Sequence, residues 1–85
     1  MTIKDLPIGY VEVDSYEESY QLQRFLFQFG LTWRDNNTDL KEYKEFKVTW
    51  YDKRLYSDST KYSLQSLTTY YRGLLYLYLY EEHND

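Results

Sequence analysis

Tryptophan and arginine stand side by side at Trp33-Arg34, and they meet again with a lysine in Trp50-Tyr51-Asp52-Lys53-Arg54. An indole stacks on flat rings, while a guanidinium offers a planar fork that takes phosphate oxygens two at a time. Together these residue types suit a small anionic ligand that carries a ring. Two stacked rings contribute about 1–3 kcal/mol each, and two charge-assisted phosphate bonds about 1.5–3 kcal/mol each. That sum reaches micromolar binding or better before ordering costs. Tryptophan–arginine neighbours are also common in plain cores and edges, and that reading stands beside the ligand one. A further cluster lies after Arg72, where Leu75, Leu77 and Leu79 alternate with Tyr76, Tyr78 and Tyr80. In an extended chain the leucines line one face and the tyrosines form a ladder about 14 Å long on the other, at roughly 3.4 Å per residue. Such a ladder is either a stacking platform for bases or a partner's side chains, or a surface packed by cross-strand neighbours or a second copy. The candidate ligand residues are therefore Trp33, Arg34, Trp50, Lys53, Arg54, Arg72, Tyr76 and Tyr78. Tyr76, Tyr78 and Tyr80 are the candidate interface.

Catalytic constellations are harder to assemble. The single histidine, His83, stands in an acidic tail that cannot hold a general base in place. Cysteine is absent, and no serine has a basic partner of the kind a nucleophile needs. Carboxylates lack His or Cys company at ligand spacing. Asp35-Asn36-Asn37-Thr38-Asp39 lacks the glycine and closing glutamate of a calcium loop. The three glycines, at 9, 30 and 73, form no phosphate loop. No catalytic residue, no metal site and no cofactor is expected, and the chain is read as a non-enzyme.

The elements that must position the candidates follow from periodicity. Tyr10-Val11-Glu12-Val13-Asp14 alternates as a short strand. Ser15 and Glu18 have the spacing of a reciprocal capping box, and Glu17 and Glu18 suit the positive end of a helix. Leu22, Phe25, Leu26 and Phe29 give one apolar face to a helix over about 16–29, with Gly30 as its left-handed stop. Gln21, Gln23, Arg24 and Gln28 fall mostly on the wet side. Leu31-Thr32-Trp33-Arg34 is a second strand, 35–39 a loop, and 40–45 either loop or a single helical turn. A hairpin joins 46–51 to 54–57 through Asp52-Lys53. Residues 61–71 are read as a short helical turn leading into extended chain, Arg72-Gly73 as a bend, and 74–80 as the closing strand. The expected fold is a single α+β domain over 1–85. It has a small antiparallel or mixed sheet with one amphipathic helix on a face, and flexible ends at 1–9 and 82–85.

Composition narrows the class. An 85-residue chain of this size buries only roughly 60–65% of its unfolded surface. Twelve Tyr, 4 Phe and 2 Trp compensate with large rings and leave some over for a surface, so a homo-oligomer is expected. Without cysteine, signal-like segment or long apolar run, the protein is expected to be soluble and cytoplasmic. A net charge of −4 argues against duplex DNA, whose affinity comes from neutralised phosphates.

The run Glu17-Glu18-Ser19-Tyr20-Gln21-Leu22-Gln23-Arg24-Phe25-Leu26-Phe27-Gln28-Phe29-Gly30-Leu31-Thr32-Trp33-Arg34 resembles small accessory proteins of tailed bacteriophages. In these a strand is followed by a helix reading roughly "EE…LQ..LF..G..W". Lys53-Arg54-Leu55-Tyr56 fits the same pattern. The resemblance begins at Tyr10, fades after Asp58 and leaves the Leu/Tyr segment outside it. It implies action in the host bacterial cytoplasm during infection, as an inhibitor of host defence. Two routes follow: a sponge that sequesters an anionic cyclic-nucleotide immune signal, or a protein–protein inhibitor that meets a host defence, nuclease or transcription protein through the tyrosine-rich surface. The expected partner is thus a small anionic nucleotide or a host defence protein, with no membrane.

Overall fold

The computed structural model describes residues 8–50, 52–57 and 64–83. Most of the expected flexible lead-in, Tyr51 of the hairpin, the segment 58–63 and the last two residues of the expected tail lie outside these. The elements are β1 (Gly9–Glu12), α1 (Tyr16–Gln28), β2 (Thr32–Trp33), β3 (Glu45–Thr49), β4 (Arg54–Tyr56), β5 (Gln65–Ser66) and α2 (Thr68–His83). They form a mixed five-stranded sheet in the order β2-β4-β3-β1-β5 with two helices. The α+β class holds, with one helix more than the periodicity predicts. β3 runs antiparallel to both β1 and β4, while the short edge strands β2 and β5 run parallel to β4 and β1.

Register sorts the residues of the sheet. Val11 pairs with Phe46, Val48 with Leu55, and Leu55 with Trp33, so these rings and branched chains share one face. All are buried there with Leu22, Phe25 and Leu26 of α1 and with Tyr71, Leu74 and Leu75 of α2. Tyr10, Lys47 and Tyr56 make a row across the other face. Gly9 pairs with Gln65, and a Cβ at Gly9 would lie 2.5 Å from the Gln65 carbonyl oxygen, so only glycine lets the edge strand approach.

Helix α1 starts and stops as its sequence asks. Ser15 is extended, and its Oγ accepts from the Glu18 N–H at 3.1 Å. The reciprocal half of the capping box is absent, because the Glu18 carboxylate turns to Arg72 instead. Arg72 Nε donates to Glu18 Oε1 at 2.6 Å and its Nη2 to Asp14 Oδ2 at 2.6 Å, tying α2 to the entry of α1. Those two acids hold the guanidinium's proton still more tightly than usual. Gly30, at φ 92°, ends the helix, with its N–H on the Phe27 carbonyl.

The segment 74–80 is helical, which corrects the expected closing strand. Its alternation of Leu and Tyr fits period two, but Tyr71, Leu74, Leu75 and Tyr78 also fit i, i+3, i+4 and i+7. No β-branched residue occurs between Tyr70 and Tyr80, and leucine is a strong helix former. Burial follows the helical period: Tyr71, Leu74 and Leu75 are buried while Tyr76 and Tyr80 are exposed. The expected order of helical turn then extended chain is reversed as well. Gln65–Ser66 is extended, and the helix begins at Thr68 and runs through Arg72-Gly73 without a bend. Of the expected loose ends, Gly9 is a strand residue, and Glu82 and His83 belong to α2. The stretch 40–44 is loop, and Glu45 already opens β3.

Tyr71 is buried on this helix, yet its hydroxyl finds no partner among the described residues. Tyr71→Phe is therefore expected to raise the unfolding free energy by about 1 kcal/mol at neutral pH. Burial, with a smaller contribution from Tyr70, pushes the Tyr71 phenol well above its ordinary value. A phenol raised in the folded state keeps its proton while the unfolded chain releases one. Stability from this group is thus intact below about pH 10 and falls above it by up to about 1.4 kcal/mol per pH unit. Urea midpoints of wild type and Tyr71→Phe should accordingly diverge above pH 10; parallel curves would contradict this account.

Candidate functional site

The site begins with a buried amide. Gln23 lies on the inner side of α1, not on the wet side that its polarity predicts, and it is fully buried. Its Oε1 accepts from the Lys41 N–H at 2.9 Å and its Nε2 donates to the Lys41 carbonyl at 2.8 Å. The side chain thus pairs with one loop residue as a neighbouring strand would. Nε2 also donates to Ser19 Oγ, whose hydroxyl in turn donates to the Tyr43 carbonyl. From the other side, Trp33 Nε1 donates to the Asp39 carbonyl at 2.9 Å. Four bonds to backbone groups therefore fix the connection between β2 and β3 over its Asp39–Tyr43 stretch. A turn in which the Asn36 N–H meets the Trp33 carbonyl begins it, with Asn36 left-handed at φ 68°.

This strapped loop and the carboxyl ends of the parallel pair β2 and β4 enclose an open groove of about 620 Å³. Arg34 and Asp35 follow β2 into it, Tyr56 and Ser57 come from the end of β4, and Lys41 and Tyr43 face them from the loop. Trp33 and Leu55 form its floor. The volume is within the roughly 300–1,000 Å³ range of small-molecule sites.

The groove's electrostatics come from three groups. The Lys41 ammonium sits 5.2 Å from the centroid of the Trp33 ring and 3.5 Å from Asp35 Oδ2. Desolvation pushes the Asp35 carboxyl up, but Lys41 and the Asn37 and Asp35 N–H groups overcome it, leaving the acid below its ordinary value. Asp35 is thus ionised at neutral pH and offsets one cation. Arg34 is exposed, is held by its backbone N–H on the Leu55 carbonyl at 3.1 Å, and makes no ion pair with a described residue. One cation is therefore left for a ligand, in the groove that Lys41 also lines. Of the rings, Tyr43 is exposed and meets Trp33 edge-on at 5.7 Å. Tyr56 anchors its hydroxyl on Asp52 at 3.2 Å.

The candidates chosen from sequence do not all converge here. Trp33 and Arg34 reach the groove, though Trp33 is buried floor under Lys41 and so cannot stack a ligand. Trp50 packs half-buried against the core, and Lys53 sits left-handed at φ 59° in the hairpin turn. Arg54 spends its Nη1 on Thr32 Oγ1 at 3.0 Å. Arg72 is held by Asp14 and Glu18. None of these four lines the groove. The tyrosine ladder is divided by the helix: Tyr78 turns inward, 5.2 Å from the Phe25 ring, while Tyr76 and Tyr80 face out. Lys41, Tyr43 and Tyr56 complete the groove instead. They sit in a charged stretch and a hairpin strand where only the aromatic–cation mixture hinted at a role.

Among the described residues no three His, Cys, Asp or Glu side chains gather as a metal ion would require, and no helix is long and apolar enough to cross a membrane. No protein-family model, curated protein or solved structure matches this chain.

Proposed function

We propose that this chain is a non-enzymatic binding protein whose groove takes a small anionic ligand carrying a flat ring, the chemistry of a nucleotide. The observation that supports this reading is Arg34, which makes no ion pair with a described residue and lines, with Lys41, Tyr43 and Tyr56, one groove. Arg34 and Lys41 take phosphate oxygens, and the exposed Tyr43 ring takes the base. A ligand held in this way is sequestered and not transformed. In the tailed-bacteriophage setting that the sequence resembles, such a protein is a sponge for a cyclic-nucleotide immune signal in the host bacterial cytoplasm.

Native mass spectrometry with a pool of cyclic oligonucleotides and cyclic ADP-ribose isomers tests this. One component should shift the mass of the protein. Arg34→Ala should then weaken its binding by about ten- to a hundredfold, the equivalent of one charge-assisted bond. A spectrum unshifted by every component, or equal binding by Arg34→Ala and wild type, would remove the reading.

A further inference from the structure

The outward side of α2 carries Tyr70, Gly73, Tyr76, Leu77 and Tyr80, three to four residues apart, with Thr69 at its start. Tyr76 is 68%, Tyr80 57%, Leu77 43% and Tyr70 42% exposed. Gly73 stands in the middle of this surface, and nothing among the described residues requires a glycine there. It does not adopt a positive φ, and a Cβ there would meet nothing within 4 Å. Glycine weakens a helix interior, so its presence fits a close approach by something outside the domain.

We infer that this face is the interface of a symmetric dimer, the occupant being a second copy of α2 laid antiparallel across it. The pattern is self-complementary. Leu77 lies one turn beyond Gly73 on the same side, so a twofold axis between them sets each Leu77 into the partner's Gly73 hollow. Residues 73–80 carry no charge, so two copies of a chain with net charge −4 meet there without repulsion, and a charged partner finds nothing to pair with. The sheet offers no competing route, since both of its edge strands are only two residues long. At about 150–250 Å² per aromatic side chain, the exposed parts of the three tyrosines and Leu77 amount to roughly 400 Å² per copy. A pair then covers about 800 Å² before its rim, which is the size of a weak, reversible interface.

Sedimentation velocity on the full chain, over about 1 to 300 μM where an interface of this size associates, should show a concentration-dependent monomer–dimer equilibrium. Gly73→Leu fills the hollow and should weaken association at least tenfold while raising the melting temperature, because leucine favours helix and meets nothing in the monomer. Leu77→Lys places two like charges by the axis and should weaken it similarly. The inference is overturned if wild type stays monomeric throughout, including a monomer that instead binds a different protein through α2. It is equally overturned if both variants dimerise like wild type.

Discussion

Gln23→Leu is expected to lower the unfolding free energy by about 3 kcal/mol, although it replaces a polar side chain in the core with an apolar one of similar size. The Lys41 N–H and carbonyl both pair with this amide. Leucine would leave them without partners, and an orphaned, partly buried backbone group costs about 1–3 kcal/mol. A chain of this length has roughly 4–13 kcal/mol in all, so the loss is a large share of the total. Urea denaturation measures it directly, and a loss below about 1 kcal/mol would mean that water replaces the amide without penalty. The same change should loosen Lys41 and Tyr43, so any ligand of the groove should bind more weakly to Gln23→Leu even where the protein is fully folded. Ser19→Ala, which removes only the bond to the Tyr43 carbonyl and one support of the amide, should cost about 1 kcal/mol.

Trp33→Ala should be more severe still, at about 4 kcal/mol. Trp33 is the largest fully buried side chain, and it meets both Tyr43 and Phe46 edge-on. Removing it opens a cavity beneath the groove, takes the ring from under the Lys41 ammonium and deprives the Asp39 carbonyl of its donor. At about 4–8 °C per kcal/mol for a domain of this size, the melting temperature should fall by about 16–32 °C. Trp33→Phe separates the contributions. It keeps a ring in the core but no N–H for Asp39, and should lose about 1–2 kcal/mol. If the two variants melted together, the indole N–H would matter more than the ring. The floor of the groove would then be held by the hydrogen bond and not by packing.

These two residues also mark where the sequence could and could not be read. Helix α1 was legible because three independent signals agreed on it: the Ser15 cap, the apolar stripe through Leu22, Phe25 and Leu26, and the stop at Gly30. The hairpin of β3 and β4 was legible from alternation around Asp52-Lys53. Gln23 was not, since periodicity ranks a side chain by polarity, and a buried amide is justified only by a loop eighteen residues away. Helix α2 was misread for a different reason. Six residues that alternate Leu and Tyr satisfy two periods at once, so alternation alone does not choose between them; helix propensity and the contact of Tyr78 with Phe25 do. The candidate site was half legible. Trp33-Arg34 announced itself by composition, but the residues opposite it come from a loop whose course is set by side-chain bonds to α1.

The join between β5, α2 and the first strand has a consequence for the order in which the molecule is made. The Leu67 N–H reaches the Tyr10 carbonyl, Thr68 Oγ1 accepts from the Glu12 N–H, and Arg72 grips Asp14 and Glu18. Strand β1 can pair with β3 as soon as that strand is made, but its other edge waits for partners synthesised more than fifty residues later, and α1 lacks part of its cover until Tyr71, Leu74 and Leu75 arrive. On the ribosome α1 and the β3–β4 hairpin have local contacts to form early, whereas the core closes only after α2 has left the exit tunnel. A nascent chain stalled before Thr68 should leave β1 paired on its β3 side alone and more open to protease than in the complete chain, and release of α2 should close it in one step.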